Sequence, residues 1–594
     1  MRQNDNTLVA YFCRCCLLFA CGVWLSLLAA CALVAVAIFP QGFVIGLLIL
    51  TAAAFYGRSR YRGGGWAFGT ARLAGFMDLM RGGLLGNGDG LLVGKTHSPK
   101  VPQAARLLWS APRWASEMVC RLFRDAVQRK GSWVRLARGT HTLIVAPTGR
   151  GKGTGLVIPH LLTYAGSCVV IDPKGENAQL TAEHRRRVFG HEVRIVDPFK
   201  IVTQTPDTFN PLDWIDPASP TALDEAKAVA DALVIKNPHA KEPHWEESAG
   251  LWTWGMTALA LHKAPPEKRN LQTVATLLSD PAEMAAAKKV MCESTVWDGL
   301  LARIGHQLSH FMERELGSTL TTTNRFLHFL STVPVAANTR SSSFDPMKLR
   351  TGKMTVYLVL PTQFLQSHAG LMRMWVSSLL LAVIRGGLDE RRRVLFLLDE
   401  AATALGHMEC IENAVVQLRG YGLRLCFFYQ SLGQLKQCFP EGRDETFLSC
   451  MDSQIFFGLN DVSSAEYVSS RMGEMTITIH QASGGTSHSR SHDLQGSSTT
   501  SYSSNSGWNA SETGRKLLKP EEVLALDERI AVVFTPSVPP LFTYLVRYYE
   551  PDFKTAPGMG GRGERLRLAL WCLRYALTAA AVGGLALMVA LALR

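Results

Sequence analysis

The apolar positions of this chain are most concentrated near its two ends. Residues 15–56 contain no Asp, Glu, Lys, Arg or His, and residues 575–593 contain none either. A helix needs about 20 apolar residues to cross the roughly 30 Å hydrocarbon core of a bilayer. The first stretch is about twice that length, and Pro40-Gln41-Gly42 divides it into segments 15–39 and 42–56. The pattern therefore predicts an N-terminal transmembrane hairpin and a C-terminal transmembrane helix.

Arginines flank these apolar stretches on the sides that would face the cytoplasm. Because basic residues mark the cytoplasmic side of a span, residues 57–574 are expected to lie there. At the N-terminus the alternative is a cleavable signal peptide, whose apolar region would have only roughly 7–15 residues. At the C-terminus the alternative is a buried or surface-lying helix. The flanking residues are Arg2, Arg14, Arg58, Arg60 and Arg62 around the hairpin, and Arg562, Arg565, Arg567 and Arg574 before the last span.

Between the two ends, short apolar and β-branched runs occur in two groups. Most runs are apolar on both faces, which is typical of parallel strands covered by helices. Residues 214–345, between the groups, show helical periodicity and little strand signal. The pattern predicts an α/β fold with a mostly parallel sheet and an inserted all-helical domain. The predicted strands are 142–146, 167–172, 192–197, 354–361, 394–400, 423–431, 454–460 and 530–536.

Composition narrows the class of protein further. The chain has 594 residues, of which 47% are hydrophobic, and 62 Lys+Arg against 49 Asp+Glu give a net charge of +13. This is too apolar for a disordered chain and long enough for several domains. The positive charge favours an anionic partner, either nucleic acid or lipid headgroups. Together with the apolar ends, these values exclude a small disulfide scaffold, a fibrous protein and a purely soluble enzyme.

The first predicted strand is followed by a glycine-rich turn and then a helix, which is the arrangement of a phosphate-binding loop. Small residues let backbone N–H groups surround a β-phosphate, and a lysine adds charge for the β- and γ-phosphates. Two positions depart from the common motif, since an alanine replaces the first glycine and a glycine stands where a hydroxyl would ligate Mg²⁺. Thr154, one residue later, is the candidate hydroxyl for the metal. The predicted binding residues are Pro147, Thr148, Gly149, Arg150, Gly151, Lys152, Gly153 and Thr154.

Two later strands supply candidate catalytic groups. The strand at 394–400 ends in Asp399 and Glu400, predicted to hold Mg²⁺ and to polarise the attacking water, respectively. The next strand ends at Gln430, a polar amide that can sense the γ-phosphate. Arg419 and Arg424 lead into that strand, and in a ring one of them could reach a neighbour's nucleotide as an arginine finger. For each arginine the alternative is an ordinary surface residue.

With these residues in place, the chain resembles the TraG-like type IV secretion coupling proteins, which are membrane-anchored RecA-like P-loop ATPases related to FtsK. The resemblance runs from about residue 142 to residue 552 and includes the family's Gly-Lys-Gly form of the phosphate loop at 151–153. The further motifs, in order, are Asp172-Pro173-Lys174-Gly175-Glu176, Val196-Asp197-Pro198, Phe209-Asn210-Pro211-Leu212-Asp213-Trp214-Ile215, Leu398-Asp399-Glu400, Gly420-Tyr421-Gly422, Gln430-Ser431-Leu432-Gly433-Gln434-Leu435, and Leu517-Leu518 with Pro520-Glu521-Glu522.

The resemblance implies a homo-hexameric, multi-pass ATPase of the bacterial inner membrane that uses ATP and Mg²⁺. Its implied partners are single-stranded DNA with an attached relaxase, the relaxosome as a whole, and the channel proteins of a type IV secretion system. It also implies that Mg²⁺ is held without the hydroxyl missing at Gly153. Two features depart from the family: the loop between the first two spans is nearly absent, and a C-terminal span replaces an acidic tail.

These observations divide the chain into six predicted segments. The Ser-rich part of the second nucleotide-binding segment, residues 481–511, is predicted to be a solvated loop, with a metal site at its histidines as the alternative. Residues 106–138 are predicted to be a basic membrane-surface stretch, with nucleic-acid contact as the alternative. The segments are a transmembrane hairpin (1–57), a basic membrane-proximal stalk (58–138), the first part of the nucleotide-binding domain (139–213), an all-alpha insertion (214–345), the second part of the nucleotide-binding domain (346–556), and a basic linker with a C-terminal transmembrane helix (557–594).

The function predicted from the sequence is an ATP-driven motor that recruits the relaxosome and delivers single-stranded DNA to a transfer channel. Three alternatives stay open: a coupling protein for protein effectors, an FtsK-like DNA translocase, and a membrane receptor that does not hydrolyse nucleotide. ATPase activity stimulated by DNA would distinguish the motor from an effector-only receptor. Loss of turnover on changing the phosphate-loop lysine would exclude the last alternative.

Overall fold

The computed structural model describes residues 68–85, 90–96, 131–136, 140–236, 241–440, 442–492 and 498–556. The predicted transmembrane segments 15–39, 42–56 and 575–593 lie outside these ranges. Among the residues described, no helix is both long enough and apolar enough to cross a bilayer. The chain separates into two compact units, one of which contains residues 71–473 and 516–559. This larger unit carries the main sheet and every predicted site residue.

Eleven strands of the larger unit form one mixed sheet, in the order β2-β1-β13-β12-β9-β3-β8-β7-β4-β6-β5. The thirteen described strands are β1 (Leu91–Thr96), β2 (Trp133–Leu136), β3 (Thr142–Val145), β4 (Ser167–Asp172), β5 (Glu192–Val196), β6 (Met354–Val359), β7 (Val394–Leu398), β8 (Leu423–Tyr429), β9 (Ser453–Phe457), β10 (Glu474–His492), β11 (Ser498–Lys516), β12 (Ile530–Thr535) and β13 (Val538–Tyr544).

The seven strands from β9 to β5 run parallel to one another, each paired in parallel with its neighbour. The strands β12, β13, β1 and β2 extend the sheet in antiparallel pairs beyond β9. The mostly parallel sheet is therefore confirmed, and each of the eight predicted strands corresponds to a strand of the structure. The prediction missed β1, β2 and β13. Two of these come from the segment predicted to be a stalk, so part of 58–138 belongs to the sheet.

Both faces of the parallel strands are buried, which explains their continuous apolar character. In β4, Val169 and Ile171 belong to one hydrophobic core, whereas Cys168 and Val170 belong to the core on the other face. Because successive strand residues point to opposite faces, a strand between two helical layers has to be apolar throughout. Short apolar runs of this kind were therefore recognisable from the sequence.

Helices cover the two faces of the sheet. In chain order the described α-helices are α1 (Phe76–Arg81), α2 (Ile158–Thr163), α3 (Glu176–Phe189), α4 (Ala222–Leu233), α5 (His244–Lys263), α6 (Leu271–Ser279), α7 (Pro281–Cys292), α8 (Leu300–Ser309), α9 (Glu313–Leu327), α10 (Val333–Asn338), α11 (Ala369–Arg385), α12 (Ala401–Ala404), α13 (Glu409–Gln417), α14 (Leu432–Cys438), α15 (Arg443–Cys450), α16 (Val462–Met472) and α17 (Pro520–Leu524).

The long connection between β5 and β6 is built from helices α4 to α10. Its centre is α5, whose Trp252 and Met256 are fully buried. Close packing is visible at Gly255 of α5, where an added Cβ would lie 3.0 Å from Leu308 and 3.1 Å from Ile304 of α8. The elements described here agree with the helical periodicity of residues 214–345.

The prediction of a solvated loop at 481–511 is wrong. The structure places β10 and β11 there, each of 19 residues, and they pair as a separate two-stranded sheet. These strands lie in the smaller unit, which contains residues 474–515. A Ser/Thr/Gly/Asn-rich composition gives no apolar alternation, the usual signal of a strand. Hydrogen bonds along two paired backbones do not depend on that alternation, so the strands were not recognised.

Candidate functional site

The glycine-rich turn connects β3 to a helix at the carboxyl edge of the parallel strands. Gly149 and Gly151 have φ angles of 82° and 88°, a left-handed conformation that L side chains rarely adopt. A Cβ added to Gly149 or Gly153 would meet nothing within 4 Å, so the space beside the turn is open. Helix amides that lack intrahelical partners face such a space at a helix N-terminus. The turn therefore fits the phosphate groups of a nucleotide.

The helix after the turn begins in an unusual way. Residues Gly153–Val157 form a π-helical turn, which continues directly into α2. A π-turn is wider than an α-turn and is often found at functional sites. The sequence predicted a helix here but gave no sign of the wider first turn.

Lys152 is directed into the protein and toward β7. Its side chain is 9% exposed, and Nζ donates a hydrogen bond to Ala146 O at 3.0 Å. The same Nζ lies 3.9 Å from Oε1 of Glu400. The lysine of the turn and the acidic end of β7 are separated by about 250 residues of chain, and the fold brings them into one ion pair.

Asp399 and Glu400 follow the last residue of β7 directly. Glu400 N donates to Asp399 Oδ1 at 3.0 Å. Burial, together with the nearby charge of Glu400, raises the pKa of Asp399 to about 6. Glu400 has φ 51° and ψ 40°, which is the left-handed region and is costly for a residue with a Cβ. The strained backbone directs the Glu400 side chain to where it meets both Lys152 and the end of β8.

Gln430 holds the other oxygen of the Glu400 carboxylate. Its Nε2 donates to Glu400 Oε2 at 3.0 Å, while its backbone N donates to Gln434 Oε1 at 2.9 Å. This contact follows from strand order, because β8 lies between β3 and β7 and ends at the same edge. The predicted site residues Lys152, Glu400 and Gln430 are therefore in contact.

Asp172 is a further acidic group at this edge to which the sequence analysis assigned no role. It ends β4, which pairs in parallel with β7, so it lies on the strand next to Asp399. Its Oδ2 accepts a hydrogen bond from Ala178 N at 2.8 Å, and burial is the main cause that raises its pKa to about 6. The signal was present in Asp172-Pro173-Lys174-Gly175-Glu176, because a strand-ending acid on a parallel strand lies at the same edge as the turn.

The candidate magnesium ligands are Asp399 and Thr154. Thr154 Oγ1 lies 3.5 Å from Gly151 O in the first turn of the helix. In the described part of the chain, no three His, Cys, Asp or Glu side chains gather as a metal-binding group. Magnesium in nucleotide sites is usually bound by one or two protein oxygens together with phosphates and water. A carboxylate and a hydroxyl at the loop fit that chemistry.

The two candidate arginine fingers lie near the amino-terminal end of β8, at the opposite end of the strand from Gln430. Arg424 pairs with Leu395 near the start of β8 and is 6% exposed. Six residues of strand separate it from Gln430, which at roughly 3.3 Å per residue is about 20 Å. Arg419 is exposed in the 3₁₀ turn Leu418–Tyr421 that precedes β8. Within one chain, neither arginine is near the phosphate-binding turn.

A second charged group, which was not predicted from the sequence, lies on the other side of the turn. Arg150 Nη1 lies 3.2 Å from Glu528 Oε2, and Arg547 Nη2 lies 3.0 Å from Glu528 Oε1. Glu528 precedes β12 and Arg547 follows β13. These antiparallel strands start and end, respectively, at the edge where β9 ends. Long-range strand pairing of this kind cannot be inferred from short motifs.

Comparison with known proteins places this geometry in context. Residues 103–562 match the sequence model of a family described as type IV secretory system conjugative DNA transfer. The conjugal transfer protein TraG of Agrobacterium fabrum is 30% identical over 411 residues, which cover 68% of this chain and 59% of that protein. The protein VirD4 of the same organism is 28% identical over 495 residues, covering 81% of this chain and 66% of that protein. The matched region thus spans about three fifths of the length of the TraG relative.

A solved structure shares the fold. The bacterial conjugative coupling protein TrwBdeltaN70 superposes with a TM-score of 0.51, covering 70% of this chain and 88% of that chain at 15% sequence identity. At this identity the likeness shows a common α/β fold and no more.

Proposed function

The chain belongs to the type IV secretory system conjugative DNA transfer family, and from this premise we propose that it is an ATP-hydrolysing coupling protein. One observation supports the enzymatic part above all others. Lys152 of the phosphate-binding turn, Glu400 at the end of β7 and Gln430 at the end of β8 contact one another at a single sheet edge. A receptor that did not hydrolyse nucleotide would not need a carboxylate beside the phosphate-binding lysine and an amide that holds this carboxylate.

The turn from Pro147 to Thr154 binds the phosphates of ATP in this proposal. The left-handed glycines Gly149 and Gly151 shape the turn, and the open helix end supplies amide donors. Lys152 contributes its charge to the β- and γ-phosphates. Asp399 and Thr154 hold Mg²⁺, which when bound neutralises phosphate charge.

Glu400 orients and polarises the water that attacks the γ-phosphate. Its carboxylate is held on one side by Gln430 Nε2 and on the other by the ammonium of Lys152. When Lys152 binds phosphate, it exchanges the Glu400 contact for the nucleotide, and Gln430 keeps the carboxylate oriented. Gln430 thereby connects occupancy of the turn to the catalytic acid, which is the role of a γ-phosphate sensor.

Stabilisation of the transition state from a neighbouring subunit completes the proposal. Both Arg419 and Arg424 lie about a strand's length from the site of their own chain, so either could act only on another chain of a homo-hexamer. Of the two, Arg419 is exposed and Arg424 is buried. We therefore assign the arginine finger to Arg419.

The proposed cargo is single-stranded DNA with an attached relaxase, received from a relaxosome and passed to the channel of a type IV secretion system at the bacterial inner membrane. The net charge of +13 suits a polyanion. The family description names conjugative DNA transfer, and the TraG relative is described as a conjugal transfer protein. Delivery of protein effectors is the competing assignment within the same family.

The experiment is ATP turnover by the purified full chain, in detergent or nanodiscs, with and without single-stranded DNA. We expect turnover that single-stranded DNA stimulates, most strongly at low salt because phosphate contacts dominate such binding. Lys152→Ala should abolish ATP binding, and Glu400→Gln should keep binding but lose turnover by roughly 100-fold or more. Arg187→Ala, a highly exposed residue of α3, is the control.

Each part of the proposal can fail separately. If wild-type turnover is present but DNA leaves it unchanged, DNA as cargo is wrong and effector delivery replaces it. If Glu400→Gln turns over ATP as fast as the wild type, Glu400 is not the catalytic acid. Mixing Arg419→Ala chains with Glu400→Gln chains should restore part of the turnover in mixed rings, whereas an arginine acting within its own chain would give no restoration.

A further inference from the structure

The chain segment that follows β13 lies along the first turn of the helix behind the phosphate-binding turn. Tyr548 N donates to Thr154 O at 3.0 Å. A Cβ added to Gly155 would lie 3.6 Å from Leu545 Cβ, and one added to Gly151 would lie 3.8 Å from the Arg547 guanidinium. Residues 545–548 therefore cover one side of the turn, opposite the side that faces Glu400 and Gln430.

Charged contacts fix this segment to the turn. The Glu528 carboxylate accepts from Arg150 of the turn with one oxygen and from Arg547 with the other. Arg529 and Glu550 form a second pair at 2.7 Å between Nη2 and Oε1. Since these pairs join the start of β12 to the chain after β13, they hold residues 547–550 at the sheet edge.

Tyr549 is the aromatic residue that this arrangement presents to solvent. It is 58% exposed, and its hydroxyl accepts a hydrogen bond from Arg547 Nη1 at 3.0 Å. Its ring stands edge-on to that of Tyr548, with centroids 5.3 Å apart and an interplanar angle of 80°. A single exposed aromatic residue is ordinary on a protein surface. This one is linked through the Arg547 guanidinium and the Glu528 carboxylate to Arg150 of the turn, and Tyr548 sets its ring orientation.

We propose that Tyr549 forms the stacking surface for the nucleotide base, so that the β12–β13 side of the turn is the nucleoside half of the site. This inference rests on the proposed function, because it takes the phosphates to be bound by residues 147–154. In the proposed function the γ-phosphate lies toward Glu400, so the ribose and base, at the other end of the triphosphate, extend away from Glu400. The chain that borders that side is residues 545–549, and Tyr549 is its exposed aromatic ring.

Stacking predicts a specific pattern of affinities. Loss of one base-stacking aromatic side chain weakens nucleotide binding by roughly 10-fold, with little regard to which base is stacked. A ligand without a base should not be affected. The hydroxyl of Tyr549 positions the ring but does not itself stack, so phenylalanine should retain most of the affinity.

The test compares Mg²⁺·ATP with Mg²⁺·tripolyphosphate by calorimetric titration of the full chain. For Tyr549→Ala we expect roughly 10-fold weaker ATP binding and less than about 2-fold change for tripolyphosphate. Tyr549→Phe should stay within about 3-fold of wild type for both ligands. Tripolyphosphate binding by Tyr549→Ala also verifies that the variant is folded. Met312→Ala, which removes another highly exposed apolar side chain, is the control.

The outcomes separate this inference from the proposed function. If Tyr549→Ala binds ATP as well as the wild type, or if it loses ATP and tripolyphosphate equally, the stacking assignment is wrong while the phosphate site stands. Lys152→Ala should weaken both ligands in parallel. If the wild type binds neither ligand, the proposed function itself fails and the inference fails with it.

Discussion

Replacing Arg373 should destabilise the protein and break the link between the helical connection from β5 to β6 and the chain that follows Glu400. Arg373 lies in α11 and is 4% exposed. Its Nε donates to Ala232 O at 3.0 Å, and Nη1 donates to Leu405 O at 2.5 Å and His407 O at 2.7 Å. Ala232 belongs to α4, whereas Leu405 and His407 follow Glu400 by five and seven residues. One guanidinium thus joins the connection between β5 and β6 to the chain that leaves the catalytic acid.

The size of the effect follows from two opposing contributions. Three hydrogen bonds from a charged donor contribute about 1.5–3 kcal/mol each, or about 5–9 kcal/mol together. Burial lowers the pKa of Arg373 from its usual range to about 10, which corresponds to a cost of about 3 kcal/mol for keeping the charge inside. The difference is about 2–6 kcal/mol in favour of the folded state. Arg373→Met should therefore lower the free energy of unfolding by an amount in that range.

The assay is thermal unfolding of the full chain, measured alongside ATP affinity and turnover. Arg373→Met should lower the unfolding midpoint, and Arg373→Lys should fall between it and the wild type, because one ammonium cannot reach three carbonyls in different directions. Arg187→Met, at a highly exposed position of α3, is the matched control. If Arg373→Met unfolds no earlier than Arg187→Met, the three bonds do not stabilise the fold as reasoned. Below the unfolding midpoint we expect turnover to fall more than ATP affinity, since Lys152 is untouched.

Three further predictions concern the site itself. The free energy of unfolding of Glu400→Gly should exceed that of Glu400→Gln by about 1 kcal/mol, because glycine adopts the left-handed backbone conformation without strain. Both variants should lose turnover. A lower free energy of unfolding for the glycine variant would show that the backbone at Glu400 is not strained. Gln430→Ala should lower kcat while leaving ATP affinity within about 2-fold, and a loss of affinity alone would argue against its role in orienting Glu400. The pKa of Asp172 is raised to about 6, so the folded state binds more protons than the unfolded state and stability falls as pH rises from about 4 to about 7. Asp172→Asn should therefore stabilise the protein at pH 8 by about 1–3 kcal/mol and have little effect at pH 4; equal effects at both values would refute the assignment.

The parallel part of the sheet could be predicted because its strands are buried on both faces. Runs such as Val394–Leu398 are apolar at every position, and in this run two carboxylic acids, Asp399 and Glu400, follow where the strand reaches the edge. The antiparallel additions lack that signal. The strand Val538–Tyr544 contains two prolines near its start, and Leu91–Thr96 contains a glycine and a lysine. Prolines and glycines in a run argue against a strand. These segments form strands because they pair with neighbouring strands of the fold, which the local sequence pattern does not reveal.

The contacts among the candidate site residues were predictable in kind because parallel strands share a carboxyl edge. Glu400 and Gln430 follow the ends of β7 and β8, and Lys152 lies in the turn after the neighbouring parallel strand β3, so their proximity follows from the strand order. The conformations were not predictable. The π-helical turn Gly153–Val157 and the left-handed Glu400 are both local departures from the regular pattern. Such departures are determined by packing around the site rather than by the preference of the residue itself.

The strand order also explains why the site has two chemically different sides. On one side of β3, the parallel strands β8 and β7 bring an amide and two acids, the groups that we propose act on the γ-phosphate. On the other side, β9 is followed by antiparallel β12 and β13, and their ends bring Glu528, Arg547 and Tyr549 to the same edge. Substitutions on the first side should change kcat at nearly constant affinity, whereas Tyr549→Ala should change affinity for ATP at nearly constant kcat. A variant of Glu400 or Gln430 that behaved like Tyr549→Ala would show that this division by strand order is wrong.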